Sequence, residues 1–394
     1  MLRIISDVCL MNPKTPLDGL DGKDISFVPM DAVSVAGQIN TEKRISAKDI
    51  KNYTVFCEGD VLFAKITPCM ENGKGAIAVG LHNGYGAGST EFIVLRPELS
   101  LISARWLLLF LSQKRFRLYC QQHMTGSAGQ TRVPVKFLGA CKIPVPSLEE
   151  QQRIIARIEE LFSELDNGVE TLQKIKQQLA VYRQAVLKEA FRDCEMWEKY
   201  SFSDLMCEIR NGYGLKPDDC GDYRILKISA VRPLCLDLSE SRLNKTEFSI
   251  EDTIAENDLL FTRYNGSKEY VGVCAVVPHL TQQYAYPDKL IRCRPKLNNS
   301  IHSKYLAYYM SQGDARNYLR SKIKTTSGQN GIAGADIKKT IIYLPDIDTQ
   351  TRVVAEIETK LSVCESIVKT VDTALQQAEA MRQSILKKAF EGGL

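Results

Sequence analysis

One stretch of this sequence occurs twice. Residues 146–191 read PSLEEQQRIIARIEELFSELDNGVETLQKIKQQLAVYRQAVLKEAF and residues 345–390 read PDIDTQTRVVAEIETKLSVCESIVKTVDTALQQAEAMRQSILKKAF, aligned without a gap. Each copy follows a stretch that reads as globular, so the chain is a tandem of two units of one kind. A chain built this way carries two similar heads on a shared frame.

The repeated stretch has the pattern of a long helix. Ile154, Ile158, Leu161, Leu165, Leu172, Ile175, Leu179, Tyr182 and Val186 recur at alternating spacings of four and three, with Gly168 in the one missing place. Val354, Ile357, Leu361, Cys364, Val368, Val371, Leu375 and Ala378 repeat the alternation. Both are heptad seams, and each seam needs a partner. Ser147, with Glu149 and Glu150 in the first turn, suits a helix start, and Pro345, Asp346 and Asp348 do the same in the second copy. Forty-odd residues at about 1.5 Å each make a rod of roughly 60 Å. The first helix leaves one globular stretch and enters the other, so the second can rejoin it only by turning back. The spacing therefore predicts an antiparallel coiled coil within the chain, with a globular domain at each end and an approximate two-fold axis. The alternative is pairing between two chains, but the internal copy is present at far higher effective concentration.

Composition sets the outer bounds. With 394 residues, 44% of them apolar, the chain can bury two cores beside the helices. No run of eighteen apolar residues occurs, and the start, MLRIISDVCLMNPK, lacks the pattern of a signal peptide, which predicts a cytoplasmic chain with no membrane contact. The 12 cysteines show no CxxC and read as small, reduced core residues. The net charge is +4, with the basic excess in the globular stretches and a small acidic excess in the helices. Charge alone does not establish a nucleic-acid partner; it says which parts could face phosphate.

The likeness continues, more weakly, upstream of the helices. GDVLFAKITP at 59–68 matches NDLLFTRYNG at 257–266, FIVLRP at 92–97 matches LIRCRP at 290–295, and ARWLLLFL at 104–111 matches SKYLAYYM at 303–310. TGSAGQ at 125–130 matches TTSGQN, with Gly129/Gln130 aligned on Gly328/Gln329. Short alternating strands with Gly, Asn and Pro turns predict a β-rich core carrying one amphipathic helix, at 104–122 and again at 303–322. The fold class is α+β. Segments 1–56 and 201–255 share little beyond length, and the loops after Phe63 and Phe261 differ. The frame is common to both copies and the loops have diverged.

The tandem arrangement, the P-S-L-x-E-Q-x-x-I start of the first helix and the closing ILKKAFEGGL together resemble the specificity subunit of type I restriction-modification systems. The resemblance covers essentially the whole chain. It implies two target recognition domains, at 1–145 and 200–344, each reading one half of a bipartite stretch of double-stranded DNA. It makes 146–191 and 345–390 the spacer helices, and it implies docking of two modification (methyltransferase) subunits and of restriction/translocase subunits. The second copy departs from the helix-start pattern, with Asp348-Thr349-Gln350-Thr351-Arg352 where the first has Glu149-Glu150-Gln151-Gln152-Arg153.

Catalytic motifs are missing from the sequence. Gly73-Lys74-Gly75 lacks the upstream glycine and following hydroxyl of a phosphate loop. Gly84-Tyr85-Gly86-Ala87-Gly88 leads into a strand, not a helix, and reads as a hairpin turn. Pro287-Asp288-Lys289 is a lone fragment of a nuclease site, and the four histidines form no HExxH pair. The chain is expected to bind no cofactor itself, and S-adenosylmethionine, ATP and Mg are expected on the partner subunits.

Reading duplex DNA needs Lys, Arg and small polar groups on phosphates and Arg, Asn, Gln, Lys or Ser on base edges. In the first unit the candidates are Lys65, Thr67, Asn72 and Lys74 after the GDVLF strand, and Ser127, Gln130 and Arg132 in the TGSAGQTR turn. In the second they are Arg263, Tyr264, Asn265, Ser267 and Lys268, with Ser327, Gln329 and Asn330. Arg210, Asn211, Tyr213 and Lys216, or Lys43, Arg44, Lys48 and Lys51, could also approach a duplex. Two other readings stay open on the residues alone: the specificity chain of another multi-subunit restriction or phage-defence system, and a coiled-coil adaptor that binds no DNA.

Overall fold

The computed structural model describes residues 1–17, 20, 22–35, 37–127, 129–214, 220–296, 300–326 and 328–394, with Thr326 described by its backbone alone. The chain divides into two compact units, Met1–Leu172 with Thr373–Leu394, and Gln173–Asp372. Each unit holds part of each of two long helices, Leu148–Ala190 and Ile347–Phe390.

In the first unit, an antiparallel sheet runs in the order Cys9–Met11, Phe92–Pro97, Val61–Ala64, Gly75–Ile77. A second sheet runs Arg44–Ser46, Asp24–Val28, Tyr85–Gly88, Thr54–Cys57, and its central pair is parallel, with Phe27 opposite Ala87. Of the glycine-rich segment expected as a hairpin turn, only Gly84 lies in a turn, with φ 77°, and Tyr85–Gly88 is a central strand. Its glycines are there for space: a Cβ on Gly86 would stand 2.3 Å from the Phe56 ring, and one on Gly88 2.2 Å from the Val28 carbonyl oxygen.

The second unit repeats this topology. Its first sheet runs Met206–Asn211, Leu290–Pro295, Leu259–Thr262, Cys274–Val276. Its second contains Ser241–Asn244 and Tyr223–Leu226, the latter parallel to Tyr284–Ala285. The segments 1–56 and 201–255, unlike in sequence, therefore supply the flanking strand of the first sheet and the antiparallel pair of the second in the same order. The edge strand Thr54–Cys57 is reduced in the second unit to a bridge between Thr253 and Ala285, and a hairpin of Val231–Arg232 with Cys235–Leu236 is added.

Shared polar links fix both units. Asp60 accepts from the Cys57 backbone N–H at 2.8 Å and pairs with Arg96 at 2.7 Å; Asp258 accepts from Ala255 N–H at 2.8 Å and pairs with Arg294 at 2.8 Å. The expected single helix after the sheet is two in each unit, Ala104–Leu111 with Lys114–Gln121 and Ser303–Ser311 with Gly313–Ser321. Residues 106–111 are all buried and the next helix is polar outside, so a straight continuation could not bury the first all round. The break falls at the buried Gln113 and Gln312.

The long helices begin as expected. The Ser147 hydroxyl accepts from Glu150 N–H at 3.3 Å, and the Asp346 carboxylate from Thr349 N–H at 2.9 Å. One turn in, Gln151 and Gln350 are fully buried and clamp the helix to the sheet domain. The Gln151 oxygen accepts from Ser103 N–H at 2.9 Å while its NH2 donates to the carbonyls of Leu101 at 2.9 Å and Pro146 at 3.0 Å. Gln350 repeats this with His302 N–H and the carbonyls of Ser300 and Pro345, at 2.9, 2.9 and 2.8 Å.

Within each unit the two helices run antiparallel. In the first, Arg153 donates to the carbonyl of Leu394 while Arg382 pairs with Asp166 and covers the Phe162 ring at 4.3 Å. In the second, Lys176 pairs with Asp372 at 2.7 Å and, one heptad further, Arg183 with Glu365 at 3.5 Å. The far end of each long helix also completes a core it did not start from. Phe390 packs on Trp106 with ring centroids 4.4 Å apart, beside Ile154 and Ile158. Phe191 packs on Tyr305 and Tyr309 at 5.4 and 5.2 Å, beside Val354 and Ile357. The seam holds as read except at two places: Val169 is half-buried where Gly168 is exposed, and Tyr182 is exposed while Arg183 is half-buried.

Of the twelve cysteines, seven are buried, two intermediate, and Cys207, Cys220 and Cys235 exposed, which corrects the reading of all as core residues. Burial pushes the thiols of Cys9, Cys120 and Cys274 up to about 12.

Candidate nucleic-acid interface

The candidate loops meet in pairs. In the first unit, Lys65 follows the strand Val61–Ala64 and is held on both sides: its N–H donates to the Glu91 carbonyl at 2.9 Å, and its carbonyl accepts from Val133 N–H at 2.9 Å. In the second, Arg263 follows Leu259–Thr262, donates to the Lys289 carbonyl at 2.8 Å and accepts from Ile332 N–H at 3.0 Å. The same node therefore joins the first candidate loop to the second in both units.

Around the first node the candidate side chains divide. Lys65 Nζ donates to the Thr90 carbonyl at 2.8 Å and Lys74 Nζ to the Met30 carbonyl at 3.0 Å, leaving two ammonium groups pinned at the loop base. Thr67 and Thr131 hydroxyls bond each other at 2.7 Å. Arg132 forks onto Glu91, its Nε and Nη2 2.9 and 2.7 Å from the carboxylate oxygens, and also donates to the Gln130 carbonyl. That fork holds the Glu91 carboxyl below the ordinary carboxylate range. Asn72, Ser127 and Gln130 are exposed.

The second unit solves the same place differently. The Arg263 guanidinium lies 4.8 Å over the Tyr264 ring, and that ring rests on Gly331, where a Cβ would stand 2.5 Å from it. Tyr264–Asn265 pairs with Gln329–Gly331, which pairs with Lys324–Thr326. Asn330 is buried, donating to the Gly266 carbonyl and accepting from Thr325 Oγ1, both at 2.8 Å, so it braces the turn and does not present itself outward. Ser267 accepts from Glu269 N–H at 3.3 Å, while Lys268 and Gln329 are exposed. Ser327 and Lys216 lie outside the described residues. Arg210 pairs with Asp252 at 2.8 Å, Tyr213 packs on Phe248 at 5.4 Å, and Asn211 is exposed. Lys43, Arg44, Lys48 and Lys51 are exposed along the short strand Arg44–Ser46 and the single 3-10 turn Ala47–Asp49 that follows it.

Sequence reading missed two sets of residues. The first braces the loops from below. Arg117 donates to the Glu71 carbonyl at 3.2 Å beside Gly73 (φ 80°), and Arg316 donates to the carbonyls of Glu269 and Val271, both at 2.7 Å, beside Gly272 (φ 71°). These arginines and glycines occupy corresponding places in the repeat, so the repeat itself carried the signal. Burial lowers Arg316 to about 10. The second set lines a cleft of about 200 Å³ in the second unit, where Ser229, Arg232 and Lys289 join Tyr264, Asn265 and Gln329. Arg232 comes from a segment with no sequence counterpart in the first unit, which is why comparing the copies could not find it.

Among the described residues no group of three His, Cys, Asp or Glu side chains is placed to hold a metal ion, and no helix is long and apolar enough to cross a membrane.

Two units that share the frame of their sheets and helices, each carrying a different pair of polar loops at one backbone node, define a class of tandem-repeat protein with two variable loop sites. Comparison gives the family. Residues 5–180 match the profile described as type I restriction modification DNA specificity domain. The type I restriction enzyme EcoKI specificity subunit of Escherichia coli (strain K12) is 36% identical over 323 residues, 76% of this chain and 68% of that protein. The EcoEI specificity subunit of Escherichia coli is 26% identical over 477 residues, 94% of this chain and 79% of that one. Among solved structures, a chain from work on complex assembly and conformational transition of the type I R-M system superposes with a TM-score of 0.80 at 19% identity, covering 100% of this chain and 98% of that one. The HsdS subunit from Thermoanaerobacter tengcongensis gives 0.55 at 19% identity, covering 100% and 97%. The chain belongs to the type I restriction enzyme specificity subunits, the non-catalytic, DNA-sequence-recognising component of a restriction-modification system.

Proposed function

We propose that the chain reads a bipartite, asymmetric duplex-DNA target, with residues 1–145 reading one half and 200–344 the other. The observation that carries this is the pairing of candidate loops at one equivalent backbone node in both units, with different side chains on each. A common node places the loops alike; different side chains select different bases. In this reading Lys65, Lys74, Arg263 and Lys268 neutralise phosphates, while Asn72, Ser127, Gln130, Asn265 and Gln329 face base edges.

The helices are the docking surface for two modification subunits and, through the assembled complex, for the restriction/translocase subunits. Val181, Tyr182, Val363 and Ile367 support this: all four are exposed on the helical part of the second unit, where a lone coiled coil would carry polar groups. S-adenosylmethionine, ATP and Mg act on those partners, and the complex works in the cytoplasm, where its DNA is.

The test is binding of the chain, assembled with its modification subunits, to duplex DNA across a salt series. The expected result is an affinity that falls linearly on a log–log plot with a slope of several ions. Salt-insensitive association, or none with DNA, would favour an adaptor that binds protein only.

A further inference from the structure

The two nodes carry opposite charges at one position. Glu91 in the first unit and Lys289 in the second both accept, through the backbone carbonyl, the N–H of the first loop residue, Lys65 or Arg263. They are equivalent by hydrogen bonding, whatever their side chains. In the first unit Glu91 is forked by Arg132, which closes the node with an ion pair. The residue equivalent to Arg132 in the second unit is Gly331, just as Val133 is equivalent to Ile332 in the backbone link. No fork can form there, and Asn330 has taken over bracing of the turn. The Lys289 ammonium has no carboxylate partner among the described residues. Instead of an ion pair, the second node holds the open cleft.

We propose that this cleft is a specificity site in which Arg232 and Lys289 read a guanine edge in the major groove, and that the first unit lacks it because Arg132 and Glu91 fill the place. The proposal rests on the DNA-reading function above. The lining is rich in donors: a guanidinium, an ammonium and the amides of Asn265 and Gln329, with no carboxylate among the lining residues. Guanine is the base that offers two adjacent acceptors, O6 and N7, and Arg and Lys are the side chains that pair with them. The site is also preset. Arg232 lies 4.8 Å over the Tyr270 ring, and Tyr264 is seated on Gly331, so neither wall has to be ordered on binding. The opposed charges at Glu91 and Lys289 then account for two frames of one topology choosing different half-sites.

The experiment is selection from a randomised duplex library by the full chain assembled with its modification subunits, for the wild type and for Lys289→Met, Arg232→Met and Lys289→Arg. Each Met variant is expected to lose about 10- to 100-fold of the preference for guanine at one position in one half-site, with the other half-site unchanged. Lys289→Arg, which keeps a cationic donor, is expected to retain the preference. Unchanged selection in both Met variants would overturn the proposal. So would a uniform loss of affinity with base preference intact, since that is the mark of a phosphate contact. A wild-type complex that selects no two-part sequence would instead overturn the DNA-reading function itself, so the two failures are distinguishable.

Discussion

Gln151 and Gln350 show how one side chain joins two kinds of structure. Each is fully buried and spends its amide on three backbone groups at the junction of helix and sheet domain. Replacing Gln350 by Leu keeps the volume but strands one N–H and two carbonyls, at about 1–3 kcal/mol for each group left without a partner or water. The expected loss for Gln350→Leu is roughly 3 kcal/mol of stability in the second unit, read as a lower urea midpoint for the Trp197 fluorescence transition. A midpoint unchanged from wild type would show that the clamp contributes nothing. In the sequence these two glutamines were visible only as residues that survive in both helix starts; that they face inward is a fact of packing. The residues 84–88 show the opposite limit. Three glycines read as a turn because glycine tolerates one, and Gly84 does sit in a turn with φ 77°, whereas Gly86 and Gly88 are in a strand because Phe56 and Val28 leave no space for a Cβ.

At the scale of elements the helices were the most legible part, since a heptad seam is a periodic property and survives local substitution. Where the period met a glycine the reading slipped by one residue, and Val169 took the seam place of Gly168. The sheets were legible in part. Val61–Ala64 and Phe92–Pro97 were evident from their copies at Leu259–Thr262 and Leu290–Pro295, but the parallel pairing of Asp24–Val28 with Tyr85–Gly88 joins distant segments and leaves no local signal. If the helices set the distance between half-sites, one heptad added to both, in register within each unit, lengthens the frame by about 10 Å. The expected outcome is a change of up to about three base pairs in the spacing of the recognised halves, with both half-site sequences kept. Altered half-site identity at constant spacing, measured on a library of spaced targets, would show that the helices do not act as a ruler.

At the scale of the molecule, repetition gives one frame twice, and divergence of loops gives it two uses. The frame could be read from the sequence because it is repeated; the candidate site could be read only as far as the aligned loops reach. In the sequence Lys289 stands in a nuclease-like fragment, while its partner Arg232 lies in a segment without a sequence counterpart, and the cleft they share exists only in the fold. The same holds for Arg132, an exposed-looking cation in sequence that the structure ties to Glu91. The most direct test of the central claim is methylation sequencing of cells carrying the complete system, with the native chain and with residues 200–344 exchanged for those of another specificity subunit. The account predicts a two-part methylated motif with unequal halves, of which the exchange replaces one half and leaves the other intact. A motif that the exchange leaves unchanged, or one in which both halves change together, would contradict it.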